Sequence, residues 1–270
     1  HGLIQLNKTA EGTLAQRTIV NNISGAGALN NLRAGTFVLS GTNTYFGDTT
    51  VTLGTLQADA ASSFSPNSRM VLNVAGVGAV NNFAGGQSVS ALRGDQATAF
   101  YTNGGFDLTL TGVDPISGGA AQIYQGIVQG AGGLVKNGNF TQSFTGAGAL
   151  SYTGATTVNA GVLSTSKAMS TSGLTVTGTG NFTSNIANSL TSTTSVGLTG
   201  VGSTWQINNG LNQSVGPLSG VTDSRVFLQG GAGNITLTVT DNGVVPTVFN
   251  GVINSVAGAG VGSVIKEGTN

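Results

Sequence analysis

Cysteine is absent from all 270 residues, which excludes a disulfide framework, a thiolate metal site and a thiol nucleophile. Charge is scarce: Asp, Glu, Lys and Arg make up 7% of the chain, against roughly 25% in an ordinary soluble domain. The nine acidic and nine basic residues cancel, leaving no basic footprint for nucleic acid and no cationic face for an anionic membrane. No apolar run approaches the ~20 residues that span a bilayer. The chain starts at His1 without an initiator Met or a signal-peptide pattern, so a leader is expected to have been removed or to lie upstream. Helix signals are missing too, because Gly or β-branched residues interrupt every candidate window. The one histidine is His1, and a Ser-His-Asp triad or His-based zinc site would rest on a terminus.

Short strands and repetition are what the sequence does contain. Its 45 glycines follow no three-residue period, which excludes collagen, and the regular apolar residues between them argue against disorder. Leu39–Gln57, LSGTNTYFGDTTVTLGTLQ, returns as Phe144–Ser164, FTGAGALSYTGATTVNAGVLS, with Gly47, Thr49 and Val51 each 107 residues before Gly154, Thr156 and Val158. Thr49-Thr50-Val51 and Thr156-Thr157-Val158 are β-branched and read as strands. Gly54 and Gly161 follow as corners where positive φ is tolerated, and each leads into a second short strand. Tyr45 and Tyr152 precede the bends as packing residues.

Other landmarks recur at longer offsets. Val80–Gly94 matches Ile207–Gly220, with Leu92 and Leu218 126 apart, and Tyr124–Val128 matches Phe249–Ile253 at 125. The longer offsets imply an insertion of about 20 residues in the second copy, placed at 169–201 and long enough for one further coil. The organisation expected is one continuous solenoid over residues 1–270, made of two long modules, about 19–123 and 124–248, with partial modules at both ends. Strands are expected at Thr36–Leu39, Met70–Val74, Leu174–Val176, Thr204–Ile207, Arg225–Leu228 and Val264–Lys266, with Gly, Asn and Ser corners between them. At 20 to 25 residues per coil a parallel β-helix would have about a dozen coils.

The stretches Gly132–Asn139 (GGLVKNGN), Ser40–Gln57, Thr153–Leu163 and Val261–Asn270 (VGSVIKEGTN) resemble the autotransporter-associated β-strand repeat, also called the passenger-associated transport repeat. The likeness is fullest over Phe37–Leu56. In the second copy Ala149-Leu150-Ser151-Tyr152 replaces the Asn-x-Tyr element. The resemblance implies a right-handed parallel β-helix, exported to the extracellular space or the bacterial surface and attached to the outer membrane through another region. It further implies a structural stalk or adhesin, for which a host-surface or matrix ligand is the partner expected; the scattered acids and the single terminal histidine, by themselves, lead to the expectation of neither cofactor nor enzymatic activity.

No catalytic, cofactor or metal residue is assigned from the sequence. The acids Glu11, Asp48, Asp59, Asp95, Asp107, Asp114, Asp223, Asp241 and Glu267 are spread along the chain rather than paired. Asn103–Asp107 and Gly230–Asn234 have glycines like those of a calcium-binding nonapeptide, but neither is in tandem, and turn chemistry explains them. Gly25–Leu29 is no phosphate loop, since no helix follows it. The Asn-x-Ser/Thr sites at Asn7, Asn22, Asn139, Asn181, Asn212 and Asn234 follow from composition. Trp205 and the phenylalanines are expected inside the coils. The alternative function is a carbohydrate-binding or polysaccharide-degrading β-helix, which would bring Asp95, Asp107 and Asp114 into one cleft with Arg93. A stalk predicts an uncharged surface without a deep pocket. Val261–Asn270 repeats the opening of a module, so the expectation at the ends is a longer passenger or self-association of end coils into a filament.

Overall fold

The computed structural model describes residues 2–6, 16–82, 85–112, 120–208, 210–231, 233–241, 243, 247–256 and 260–269; His1, Asn7, Glu11 and Asp114 lie outside them. Every strand pairing among the described residues is parallel, and no helix occurs there. Short β-branched strands separated by Gly and Asn corners cannot bury a face alone, so each coil lies on the one before it. The chain is therefore an all-β solenoid of stacked parallel coils.

One face begins with a five-stranded sheet that runs from Leu3–Leu6 to Leu92–Arg93. A parallel bridge from Gly94 to Tyr124 carries it into a seven-stranded sheet, from Gln122–Tyr124 to Val252–Val256. A second face holds seven strands from Arg17–Ile19 to Ser151–Tyr152 and continues through a Leu150–Met169 bridge. The third holds seven strands from Gln87–Val89 to Leu218–Gly220, extended by a Gly220–Phe249 bridge.

Inside, registered neighbours form ladders. Leu163, Phe182, Trp205, Val226 and Ile253 succeed one another at single-coil steps, and the first four are buried. Each such side chain contributes roughly 1.5–3 kcal/mol by leaving water. Trp205 also satisfies its indole, donating from Nε1 to Ser184 Oγ at 3.0 Å. The phenylalanines divide: Phe46 and Phe106, beside corner glycines, are 42% and 40% exposed, so the expectation that all stack inside fails for these two. Met70–Val74 is shorter than expected and pairs only over Met70–Val71.

The extra coil of the second copy is visible in the register. Leu56 pairs directly with Ala79, whereas Leu163 reaches Trp205, the residue 126 beyond Ala79, only through Phe182. Equivalent features elsewhere use identical contacts. Gln87 Oε1 accepts from Phe64 N–H and its Nε2 donates to Ala60 O; Gln213 does the same with Ser189 and Ile186.

Candidate functional site

The corner that recurs is built from polar groups sealed inside the coil. Asn43 is fully buried; its Oδ1 accepts from Ile23 N–H at 2.7 Å and its Nδ2 donates to Ser63 O at 2.6 Å, so one side chain ties three coils. Two residues on, the Tyr45 hydroxyl is hydrogen-bonded to Thr49 Oγ1, as Tyr152 is to Thr156 Oγ1 at 2.6 Å. Burial pushes the Tyr45 phenol up to about 12 and raises Tyr152 as well, so both remain neutral. Gly54 and Gly161 adopt φ of +64° and +65°, as the corner requires.

Two lysines lie within this frame without a carboxylate partner among the described residues. Lys136 is buried and donates from Nζ to the carbonyls of Asn137, Gly138 and Ala160 at 2.8–3.1 Å. Lys167 Nζ likewise reaches the carbonyls of Gln125, Gly126 and Ala147. Desolvation lowers Lys136 to about 7 and lowers Lys167 too, while the carbonyl oxygens act in the other direction. These lysines take up main-chain acceptors freed at the corners and serve the coil rather than a ligand.

The featureless surface expected of a stalk is interrupted by concavities, among them one of about 520 Å³ beside Ser192, Ser214 and Glu267 and one that gathers several charges. A cleft of about 580 Å³, lined by Arg69, Asn73, Arg93, Asp95, Gln122 and Gln125 among others, opens on the first face where its two sheets meet. Leu92 has no strand partner on its later side there; instead Gln142 accepts from Leu92 N–H and donates to Leu92 O and Gln122 O. Arg69 is held by Asp48 through a fork of 2.8 and 2.9 Å. Arg93 makes no hydrogen bond or ion pair with any described residue, and Asp95 accepts only from Gln96 Nε2, at 3.1 Å. Gln122 is buried, yet its Oε1 has no donor.

The geometry of the corner meets its match in known proteins. The family model of the Passenger-associated-transport-repeat fits residues 34–58 and 134–164, the two stretches that fold into the corners just described. Two passenger-associated transport repeats lie in this chain. The chain is also 40% identical over 148 residues to a curated protein named Adhesin BmaC autotransporter, from Brucella suis biovar 1 (strain 1330). That match covers 54% of this chain and 4% of the relative, so the chain spans a small part of that protein's length. No solved structure matches.

The repeats place the sequence-derived candidates in structural roles. Asp107 Oδ1 accepts from Gly133 N–H at 2.9 Å, and Asn103 Oδ1 from Gly132 N–H at 3.0 Å. The Gly-rich turn at Asn103–Asp107 is thus bonded to the next coil. Asn234 does the same for Val261 N–H, and Asn22 and Asn212 for Thr42 and Thr236. Among the described residues no three His, Cys, Asp or Glu gather closely enough to hold a metal. No helix there is long and apolar enough to cross a membrane, which says nothing of a β-barrel. Of the three acids that an enzyme would bring together, Asp95 lines the cleft with Arg93, Asp107 is committed elsewhere, and Asp114 lies outside the described residues. Sequence reasoning missed Arg69, Asn73, Gln122 and Gln125, whose meeting needs coil stacking. One signal was present: Arg93 stands where the matching stretch Ile207–Gly220 has Ser219.

Proposed function

We propose that this chain is a segment of a bacterial autotransporter passenger, displayed on the cell surface or secreted, and that it acts without enzymatic activity as a stalk or adhesin. The observation that carries this is the coincidence of the two matched repeats with the corners that link successive coils. The adhesin name of the relative supports the same reading. A parallel solenoid suits the task, because each coil needs only its neighbour and the rod can fold progressively as it emerges. The test is an epitope placed at exposed Val201 within the natural protein. Intact cells should bind antibody and lose the epitope to added protease. An epitope reached only after lysis would overturn the reading.

The outer edges of Leu3–Leu6, Val252–Val256 and Gly262–Glu267 end their sheets, and Val252, Val264 and Ile265 are exposed on the last coils. We assign these edges to a further coil of a longer passenger. End-to-end stacking of copies into a filament is the competing outcome. The mass of the native polypeptide, measured with its assembly state, separates the two.

A further inference from the structure

We propose that the cleft between the strands Leu92–Arg93 and Gln122–Tyr124 binds a carboxylate-bearing sugar, with Arg93 taking the carboxylate. This rests on the passenger reading only in supplying the contact that an adhesin would make.

The fold does not need the charges found there. The seam recurs: Gly94 N–H donates to Ile123 O and Gln125 N–H to Gly94 O, and in the second module Gly220 and Asn250 make the same bonds with Val248 and Gly220. Both seams carry a parallel bridge, Gly94–Tyr124 and Gly220–Phe249. At the second seam, however, Ser219 and Val221 occupy the positions of Arg93 and Asp95. The same junction is built without either charge. In a chain with only nine acidic and nine basic residues, Arg69, Arg93 and Asp95 line one cleft, and Asp48 pairs with Arg69 at its edge.

The cleft also holds unspent hydrogen-bonding capacity. Arg93 is exposed and unpaired among the described residues, so its five-donor fork is open to a carboxylate. Asp95 keeps acceptor capacity for hydroxyls, and Gln122 Oε1 lacks a donor. Asn73 and Gln125 add amides that both donate and accept. An anionic group beside several hydroxyls is the ligand that satisfies this set, and the volume lies within the roughly 300–1,000 Å³ of small-molecule sites.

Peptides fit less well. The backbone of Leu92 and Gly94 is already bonded, to Gln142 and to the next coil, so no strand can be added here. Arg93-Gly94-Asp95 is an Arg-Gly-Asp tripeptide, a recognition sequence for receptors when it projects from a loop. Here Gly94 is buried, with both its N–H and its carbonyl bonded to the following coil, and the two side chains line a concavity instead of projecting from a tip.

The experiment titrates the intact chain with glucuronic acid, N-acetylneuraminic acid, neutral methyl glucoside, acetate and inorganic phosphate, followed by saturation-transfer NMR and calorimetry. A sugar acid should bind, and the neutral sugar and small anions should bind at least about tenfold more weakly, as expected for loss of one charge-assisted fork or of the hydroxyl contacts. Arg93→Met should lose about tenfold or more, Arg93→Lys less, and Asp95→Asn a smaller factor, with urea midpoints unchanged. Absence of sugar-acid binding, equal binding of acetate or phosphate, or full affinity in R93M would each overturn the proposal. So would capture by an Arg-Gly-Asp-reading receptor, competed by the free tripeptide, in the absence of sugar binding. The epitope test is independent: surface display without sugar binding would remove this site and leave the passenger reading standing.

Discussion

The Nζ of Lys136 sits 3.7 Å from the centre of the Phe140 ring. Together with three carbonyl oxygens, that ring face encloses the ammonium with no counter-charge among the described residues. Burial brings its pKa from 10.5 to about 7, so the folded chain releases this proton at a lower pH than the unfolded chain does. Between about 7 and 10.5 the unfolded state holds more protons, and stability therefore rises with pH across that window and is flat below it. We predict that urea midpoints of the native chain climb from pH 7 to 10 and that Lys136→Met removes part of the climb. Lys167, shifted the same way, leaves a residual slope. Parallel curves for the two proteins would show that the carbonyls hold the proton against desolvation.

A second prediction concerns Asn43, which the second repeat replaces with Leu150. Asn43 bonds to both neighbouring coils, while Leu150 is buried and forms a backbone bridge to Met169. Asn43→Ala leaves an N–H and a carbonyl unpaired inside the coil, at about 1–3 kcal/mol each. Leu150→Ala removes only apolar contact, about 2–5 kcal/mol. Replacing Asn43 by Leu should not rescue the first corner, because its backbone acceptor and donor remain. Chemical unfolding of N43A, N43L and L150A checks this, and native-like stability of N43L would overturn it.

The repeat itself was legible because it lies along the chain: β-branched strands, corner glycines and the 107-residue offset all survive in the linear order. So was the added coil, since a longer offset between matched landmarks has no other place to go. What could not be read was anything lateral. Arg69 meets Arg93, and Arg93 meets Gln122, only when coils of unequal length are stacked in register, and that register depends on corners whose lengths vary. The exposure of Phe46 and Phe106 was missed for a related reason, as residues at corners follow the turn and not the strand's alternation. Lys136 reads in sequence as a surface charge, and only the carbonyls gathered by the next coil explain its burial.

Val51 and Val158 occupy equivalent rungs and are fully buried. Replacing either with Asp would place a carboxylate in the core with no cation to receive it, which costs several kcal/mol or forces the group to stay protonated. We predict lower urea midpoints for both variants and partial recovery at acid pH, where the carboxyl is neutral. Midpoints equal to the native chain's would mean that these strands face solvent and that the register is wrong.

The final prediction separates close packing from turn conformation at the equivalent glycines Gly47 and Gly154. Neither has positive φ, so an alanine there suffers no dihedral penalty. What it meets is backbone. A Cβ on Gly47 would stand 2.5 Å from the Gly27 carbonyl oxygen and 2.7 Å from the Ala28 main chain, and one on Gly154 would collide with the main chain of Gly132 and Gly133. Main chain bonded into the preceding coil cannot give way as a flexible side chain would, so each coil would be forced from its neighbour. Gly47→Ala and Gly154→Ala are therefore predicted to cost about 1–3 kcal/mol, as overpacking does. Gly197→Ala is the control: its Cβ would meet only the side chains of Ser219 and Thr199, at 3.5 and 3.6 Å, and its φ is also not positive. That variant should unfold within about 0.5 kcal/mol of the native chain. Equal losses at all three sites would overturn the account, since the unfolded-chain effect of replacing glycine by alanine raises stability and, of the three, Gly47 and Gly154 alone meet main chain.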